Sequence, residues 1–376
     1  MVKVPTLTDA RGPHPVSLRG HREDDVPGCL EQCTDPLSIA WTTVPVPYTR
    51  DDAKRFVRHA MPGGWETDAE WGFALEYDGR YGGTVSLRNE GEGRAEIAYG
   101  SHPGVRGTGA VERALRLLLE WGFEERRLHT VIWLANVGNW ASRKVAWRLG
   151  FDIAPGVVRQ WLPHRGELRD AWVGTLLATD ERSPRHPWLD VPVIELPGLR
   201  LRPLRPGDDP RVIEACTDEV SRHWLGQLPS PYQASDAAWW REDCLRRASV
   251  GEAVTWAMAD PDDDRIIGAV NLFGMGGRLR EAEVGYWVHP ETRGRGIGTA
   301  ATRAAVRHGL LPVAEGGLGL DRVEAIAAVG NTASRRVLER AGMRPCGGVE
   351  RSAVRVRDGL VDAARYDVLP SELSGD

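Results

Sequence analysis

Five cysteines in 376 residues (Cys29, Cys33, Cys216, Cys244 and Cys346) are too few and too scattered for a disulfide scaffold, and they fit a reducing compartment. Cys29 and Cys33 lie one helical turn apart, but no neighbouring Cys/His cluster completes a set of four metal ligands. They read as two thiols on a packed helix, and no metal is expected. Excess positive charge is also missing. The net charge of -5 carries no electrostatic footprint for nucleic acid or an anionic membrane. No apolar run reaches the length of a membrane span, and the N-terminus lacks a basic segment followed by an apolar core. These absences predict a soluble, cytoplasmic protein with no nucleic-acid partner and no membrane partner.

What the chain does have is a repeated block. His289-Pro290-Glu291-Thr292-Arg293-Gly294-Arg295-Gly296-Ile297-Gly298 recurs as His102-Pro103-Gly104-Val105-Arg106-Gly107-Thr108-Gly109-Ala110-Val111. An apolar, alternating stretch leads into each block and an Ala/Leu/Arg-rich helical pattern follows, so a Gly-rich turn feeds a helix N-terminus twice. The resemblance between the halves extends further. Ala95 to Ser101 matches Ala282 to Val288, and Val137 to Val145 matches Val329 to Val337 after a gain of five residues, placed in Glu315 to Gly319. Two copies are too few for a solenoid and predict tandem domains.

Residues 1–182 read as the first domain, 183–198 as a linker broken by Pro184, Pro187, Pro192 and Pro197, and 199–376 as the second domain. In the second copy, strands are expected at 199–204, 255–259, 266–273 and 282–288, the last three as an antiparallel meander. Helices are expected at 208–216, 235–247, from the Gly-rich turn to about 310, and at 331–341, with further strands at 323–327, 349–356 and 361–368. The first half repeats this order.

The turn has a chemistry of its own. Backbone N–H groups of residues 294 to 299 at a positive helix end make an anion site, and glycines let the main chain approach a pyrophosphate closely. Arg293 and Arg295 add charge. A dinucleotide fingerprint fits poorly, because the preceding strand ends a meander rather than opening a βαβ unit. A P-loop fails because no Gly-Lys-Ser/Thr follows. Spacing alone leaves nucleotide, CoA and plain loop open.

A strand, Arg-x-x-Gly-x-Gly, a helix, a strand and then Asn-x-x-Ser opening another helix together resemble the GNAT superfamily of acyl-CoA-dependent N-acyltransferases. The segments Glu283 to Pro290 and Asn331 to Met343 are similar to its ribosomal-protein N-terminal acetyltransferase branch. The resemblance covers the second half and, more loosely, the first. It implies two tandem GNAT-like domains of α/β class in the α+β manner. Each would be a mixed, largely antiparallel sheet flanked by helices, with two parallel strands splayed at the CoA site. It also implies acetyl-CoA or another acyl-CoA as co-substrate. Arg293, Gly294, Arg295, Gly296, Ile297, Gly298 and Thr299 would hold the pyrophosphate, main-chain groups around Trp287 and Val288 the pantetheine arm, and Asn331 the pantetheine. Ser334 would protonate the leaving thiolate.

Thioester aminolysis needs a neutral amine, a proton acceptor, a polarised carbonyl and a proton source for the thiolate. Glu283 lies on the strand entering the site, with Glu281 two residues away on the same face, and either is placed to act as base directly or through water. Asn331 is equally a good helix N-cap, and Ser334 equally a surface hydroxyl. His102 and His289, each before a proline, read as structural or CoA-adjacent. Trp224, Trp239 and Trp240, with Trp41, Trp65 and Trp71 in the first half, read as core, with an apolar acceptor pocket as the other possibility.

The first copy departs at Val111, Thr108 and Gly100-Ser101. Its remaining Arg106, Gly107, Gly109, Asn139 and Ser142 form a possible second site. A β-branched valine in place of Gly298 is expected to crowd a pyrophosphate. The expected activity is acetyl transfer to a primary amine of a small molecule, with catalysis in the second domain. A protein N-terminus is the alternative acceptor, and a CoA-binding sensor without turnover the reading from another class. The assembly is expected to be a monomer of two pseudo-equivalent domains or a homodimer.

Overall fold

In the computed structural model, which describes residues 2–277 and 279–373, the apolar alternation resolves into two separate mixed sheets. The chain divides accordingly into units of Met1–Arg185 and His186–Asp376.

The first unit runs β1 (Leu7–Asp9), β2 (Val16–Arg19), α1 (Val26–Thr34), α2 (Pro36–Trp41), α3 (Arg50–Arg55), α4 (Met61–Glu66), β3 (Glu70–Tyr77), β4 (Arg80–Gly91), β5 (Arg94–Ser101), α5 (Ala110–Glu124), β6 (Thr130–Asn136), α6 (Trp140–Arg148), β7 (Asp152–Ile153), β8 (Val158–His164) and β9 (Glu167–Leu177). The second runs β10 (Ile194–Leu196), β11 (Leu199–Arg202), α7 (Asp209–Thr217), α8 (Glu219–Trp224), α9 (Ala234–Ser249), β12 (Ala253–Ala259), β13 (Ile266–Phe273), β14 (Glu281–Val288), α10 (Ile297–Leu310), β15 (Arg322–Ala328), α11 (Thr332–Arg340), β16 (Arg344–Val356) and β17 (Gly359–Val368).

Strand order in the second sheet is β10-β11-β12-β13-β14-β15-β17-β16. Among the described residues of this sheet, only β14 and β15 pair in parallel, because the α10 crossover carries the chain back to the same end of the sheet. Their ladder covers three pairs, Glu281↔Arg322, Ala282↔Val323 and Glu283↔Glu324, and the strands diverge beyond it. The first sheet matches this, with β5 and β6 parallel over Arg94↔Thr130 to Ile97↔Trp133 and antiparallel pairing elsewhere. The expected architecture of two mixed, largely antiparallel sheets with a splayed parallel pair is therefore present.

Each long helix presents one apolar stripe to its sheet. Ala301, Ala305, Val306 and Leu310 of α10 are buried with Trp256, Val270, Leu272 and Val284. Ala114, Leu115, Leu118 and Leu119 of α5 pack likewise with Phe73, Leu87 and Ile97. Each such large side chain contributes roughly 1.5–3 kcal/mol by leaving water, so this face anchors the crossover that sets the splay. Cys29 and Cys33 are free, buried thiols on α1, as their spacing predicts.

Two segments depart from the sequence reading. Ile194–Leu196 was expected within the linker, but it pairs antiparallel with Leu199–Leu201 and so belongs to the second sheet. A two-residue turn at Pro197-Gly198 lets this short strand close, where proline content alone suggests a break. The one-turn helix α8 has no counterpart among the expected elements. Six residues are too short for a readable apolar period, and Asp218 starts the helix by accepting from Ser221 N. Among the described residues, no helix is long and apolar enough to cross a membrane, and no group of three His, Cys, Asp or Glu is arranged to hold a metal ion.

Candidate active site

The divergence of β14 and β15 opens a cleft of about 560 Å³ in the second unit. Glu283, Trp287 and Val288 of β14 line it, as do Gly294, Gly296, Ile297, Gly298 and Thr299 at the start of α10, and Asn331 and Ser334 at the start of α11. Arg293 also lies on its wall, whereas Arg295 is exposed on the turn.

The Gly-rich turn is built for a bare helix end. Gly296 is the N-cap of α10 in the left-handed region at φ 80, where it has no side chain to occupy the first-turn N–H groups. Those groups keep their positive end-of-helix potential facing the cleft. Gly298 answers to packing instead. A Cβ there would stand 3.2 Å from Val288 Cγ2 and 3.7 Å from Val337 Cγ2, so the glycine lets α10 close on β14. The first copy has Val111 at this place and Ser101 where the second has Val288. Bulk has moved from the strand to the helix, which gives Val111 a reason other than crowding a phosphate.

Arg293 is bonded to neighbouring elements. Its Nη2 donates to Asp218 Oδ2 at 2.6 Å and to Ser221 Oγ at 2.8 Å, and its Nε to Val288 O at 3.3 Å. It thus ties the end of β14 to the start of α8, whose Val220, Ser221 and Trp224 form another wall of the cleft.

At the centre of the cleft, Tyr286 Oη lies 2.9 Å from Ser334 Oγ and donates to Ser334 O at 3.0 Å. Burial pushes the Tyr286 phenol up to about 12, so it stays protonated at neutral pH. Asn331 caps α11 by accepting from Ser334 N at 3.1 Å, which fixes the helix start that carries Ser334. On the other face of β14, burial raises the Glu283 carboxyl above its usual value, with Arg365 opposing and Glu324 reinforcing the shift. Glu281, by contrast, is ion-paired with Arg322 at 2.9 Å.

The first unit keeps the frame and fills the space. Gly109 caps α5 at φ 80, Asn139 caps α6 through Ser142 N, and Tyr99 Oη lies 2.7 Å from Ser142 Oγ. Arg106 donates to Asp35 at 2.6 Å and Ser38 Oγ at 3.2 Å, and Gly107 stays exposed on the turn. Where the second unit has Ala325 on the cleft wall, the first has Trp133, which is 1% exposed. Its Nε1–H reaches Ser142 Oγ at 3.1 Å and Tyr99 Oη at 3.3 Å. Trp172 and Trp140 stand where the second unit has Ala364 and Thr332, with ring centroids 4.6 Å apart.

His289 is buried, with Nδ1 accepting from Arg211 at 3.1 Å and Nε2 3.3 Å from Glu214, and burial lowers its pKa. It buttresses α7 against the turn. His102 sits 3.0 Å from Glu31 in the matching place. Trp65 and Trp71 are core. Trp240 packs 6.4 Å from Trp287, and Trp239 is 68% exposed. Trp224 lines the cleft, and Trp41 of the first unit packs on Gly138 as Trp224 does on Gly330.

Tyr286, Arg336, Arg340 and Ala325 also line the cleft without having been singled out from the sequence. Tyr286 carried one usable signal: Tyr99 repeats it within a matched segment that also holds Glu96 and Glu283. Ala325 carried another, since an alanine opposite a tryptophan in a duplicated strand marks a change in space.

The acetyltransferase (GNAT) domain profile matches residues 16–152 and again residues 198–344. The putative ribosomal N-acetyltransferase YdaF of Bacillus subtilis (strain 168) is 30% identical over 191 residues, 47% of this chain and 94% of YdaF. The uncharacterized N-acetyltransferase YoaA of the same organism is 28% identical over 161 residues, 41% of this chain and 83% of YoaA. Among solved structures, Mycobacterium smegmatis RimJ in complex with CoA-disulfide aligns at 25% identity with a TM-score of 0.44, covering 51% of this chain and 93% of that chain. The profile match in both halves accounts for the duplicated turn, and the chain belongs to the GNAT family of N-acetyltransferases, whose domain it carries in tandem.

Proposed function

We propose that the second unit transfers an acetyl group from acetyl-CoA to a primary amine of a small molecule by direct attack. The observation that carries this reading is the continuous cleft of the second unit, which runs from a helix end without a side-chain cap, past the Tyr286–Ser334 hydroxyl pair, to Glu283. This sequence of surfaces suits an anionic handle, a thioester and an incoming amine in turn.

In the reaction, the neutral amine nitrogen forms a bond to the thioester carbonyl carbon and the carbon–sulfur bond breaks. The proton lost by nitrogen goes to Glu283, directly or through a water, and its raised pKa makes it a stronger base than an ordinary carboxylate. The thiolate takes a proton from the Tyr286–Ser334 pair, one hydroxyl of which exchanges its internal acceptor for the sulfur. Gly294 and the first-turn amides Ile297 to Thr299 hold the pyrophosphate, with Arg295 close by in solvent. Past the end of the β15 ladder, the edge of β14 around Trp287 and Val288 faces the pantetheine amides, with Val288 O already accepting from Arg293 Nε. Asn331 orients the start of α11.

The first unit plays no part in turnover on this reading, because Trp133 takes the space that acyl-CoA needs. Calorimetric titration of acetyl-CoA into the full chain, followed by thiol release with a panel of small amines and N-terminal peptides, tests the proposal. One site per chain and thiol release with a small amine support it. Binding without release from any amine or peptide leaves a sensor and overturns it. The name of YdaF favours a second reading, in which the acceptor is the N-terminal amine of a protein. Release with peptides alone would establish that one.

A further inference from the structure

The α8 segment behaves as a strap across the cleft of the second unit, and its two ends are held by different elements. At its start, Arg293 grips Asp218 and Ser221 while also bonding Val288 O. At its end, Arg357 N donates to His223 O at 2.9 Å, and Gly226 lies so close to β16 that a Cβ would stand 2.3 Å from the Val356 carbonyl carbon. Between these ties, Val220, Ser221, Trp224 and Leu225 form the wall.

The first unit repeats the device. Arg106 grips Asp35 and Ser38 and bonds Ser101 O at 3.3 Å, and Asp35 caps α2 through Leu37 N and Ser38 N. Arg169 donates to Ala40 O at 3.4 Å near the end of α2. The first unit keeps the arginine, the aspartate and the serine in the same arrangement although Trp133 occupies the place of Ala325.

We infer that Arg293 is a positioning residue that fixes the α8 strap over the cleft rather than a ligand of the acyl-CoA pyrophosphate. Arg293 commits Nε to Val288 O and Nη2 to Asp218 and Ser221, and turning those donors to a phosphate would leave that partly buried carboxylate and the α8 start without their cation. Held as it is, the guanidinium couples the end of β14 to the strap. The wall facing the acetyl group and its acceptor is thereby set before any ligand arrives. This inference rests on the proposed acetyl-transfer site for its role in catalysis, though not for the contact itself.

Hydrogen exchange of the full-length protein without ligand, read on peptides covering residues 219–225, and calorimetric binding of acetyl-CoA test it together. Arg293→Ala and Asp218→Asn should each speed exchange of the strap about tenfold, the effect of losing one charge-assisted hydrogen bond in a partly exposed place. Both should weaken acetyl-CoA to the same small extent, and the double variant should be no worse than either single one. Arg293→Lys, which keeps the charge beside Asp218, should restore much of the protection. Arg106→Ala should release residues 36–41 in the first unit in the same way. Unchanged strap exchange in Arg293→Ala would overturn the inference. So would a loss of acetyl-CoA affinity of tenfold or more in Arg293→Ala with Asp218→Asn at the wild-type value. If the wild type binds no acetyl-CoA, the proposed function fails while the exchange result still decides the contact.

Discussion

The Trp133 indole N–H donates to Ser142 Oγ at 3.1 Å, and this bond separates the two halves of the chain. Ser142 already pairs with Tyr99, as Ser334 pairs with Tyr286, so the hydroxyl pair survives in both units. What differs is the space beside it. An indole stands in the first unit where Ala325 leaves a cleft in the second.

Ala325→Trp should therefore close the second cleft. The first unit shows that this fold accepts a tryptophan there, so the variant is expected to fold and to lose acetyl-CoA binding in calorimetric titration. The opposite change, Trp133→Ala, empties a fully buried position and should cost about 3–5 kcal/mol in denaturant unfolding of the first unit.

Removing the hydroxyls tests the proton source. Tyr286→Phe combined with Ser334→Ala should lower kcat by about 10²–10⁴-fold while acetyl-CoA affinity stays near the wild-type value. A drop in affinity with unchanged kcat would mean that the pair serves binding.

Glu283 sets a pH dependence. Its pKa is raised by burial, so kcat/KM should climb with pH through a value above the ordinary 4.5, and Glu283→Gln should lose that limb. The stability sign is opposite. Between the ordinary and the raised value the folded state holds the proton more often than the unfolded state, so stability falls as pH rises through that window. Glu283→Gln should flatten this part of the curve in thermal scans at graded pH.

Gly298→Val separates packing from ligand approach. The Cβ meets Val288, so the variant should lose about 1–3 kcal/mol of stability. Adding Val288→Ser, which copies the Val111 and Ser101 arrangement, should recover part of the loss. No recovery would show that the exchange of bulk between helix and strand does not explain Val111.

His21 gives the first unit an acid limit. Burial lowers its pKa from 6.5 to about 4, while Nε2 is bonded to Thr84 Oγ1 at 2.9 Å. Below pH 6.5 the unfolded state binds the proton first, so stability should drop as pH falls toward 4. Thermal unfolding of wild type and His21→Gln over that range measures the difference.

The sequence by itself determined the repeat, the alternation of strands and helices, the Gly-rich turn and the Asn-x-x-Ser helix starts. These features are local. Backbone sterics and capping act within a few residues, so glycine at a left-handed N-cap or asparagine accepting from Ser334 N can be read from adjacent letters. Only the tertiary structure decided which side chains share a cavity. Trp133 closes one cleft because its β6 position faces Tyr99 and Ser142 across a sheet–helix boundary. Arg293 holds Asp218 across 75 residues of chain, and Gly298 is small because Val288 of another element needs the room. Such relations depend on strand register and interelement packing, which no local period encodes.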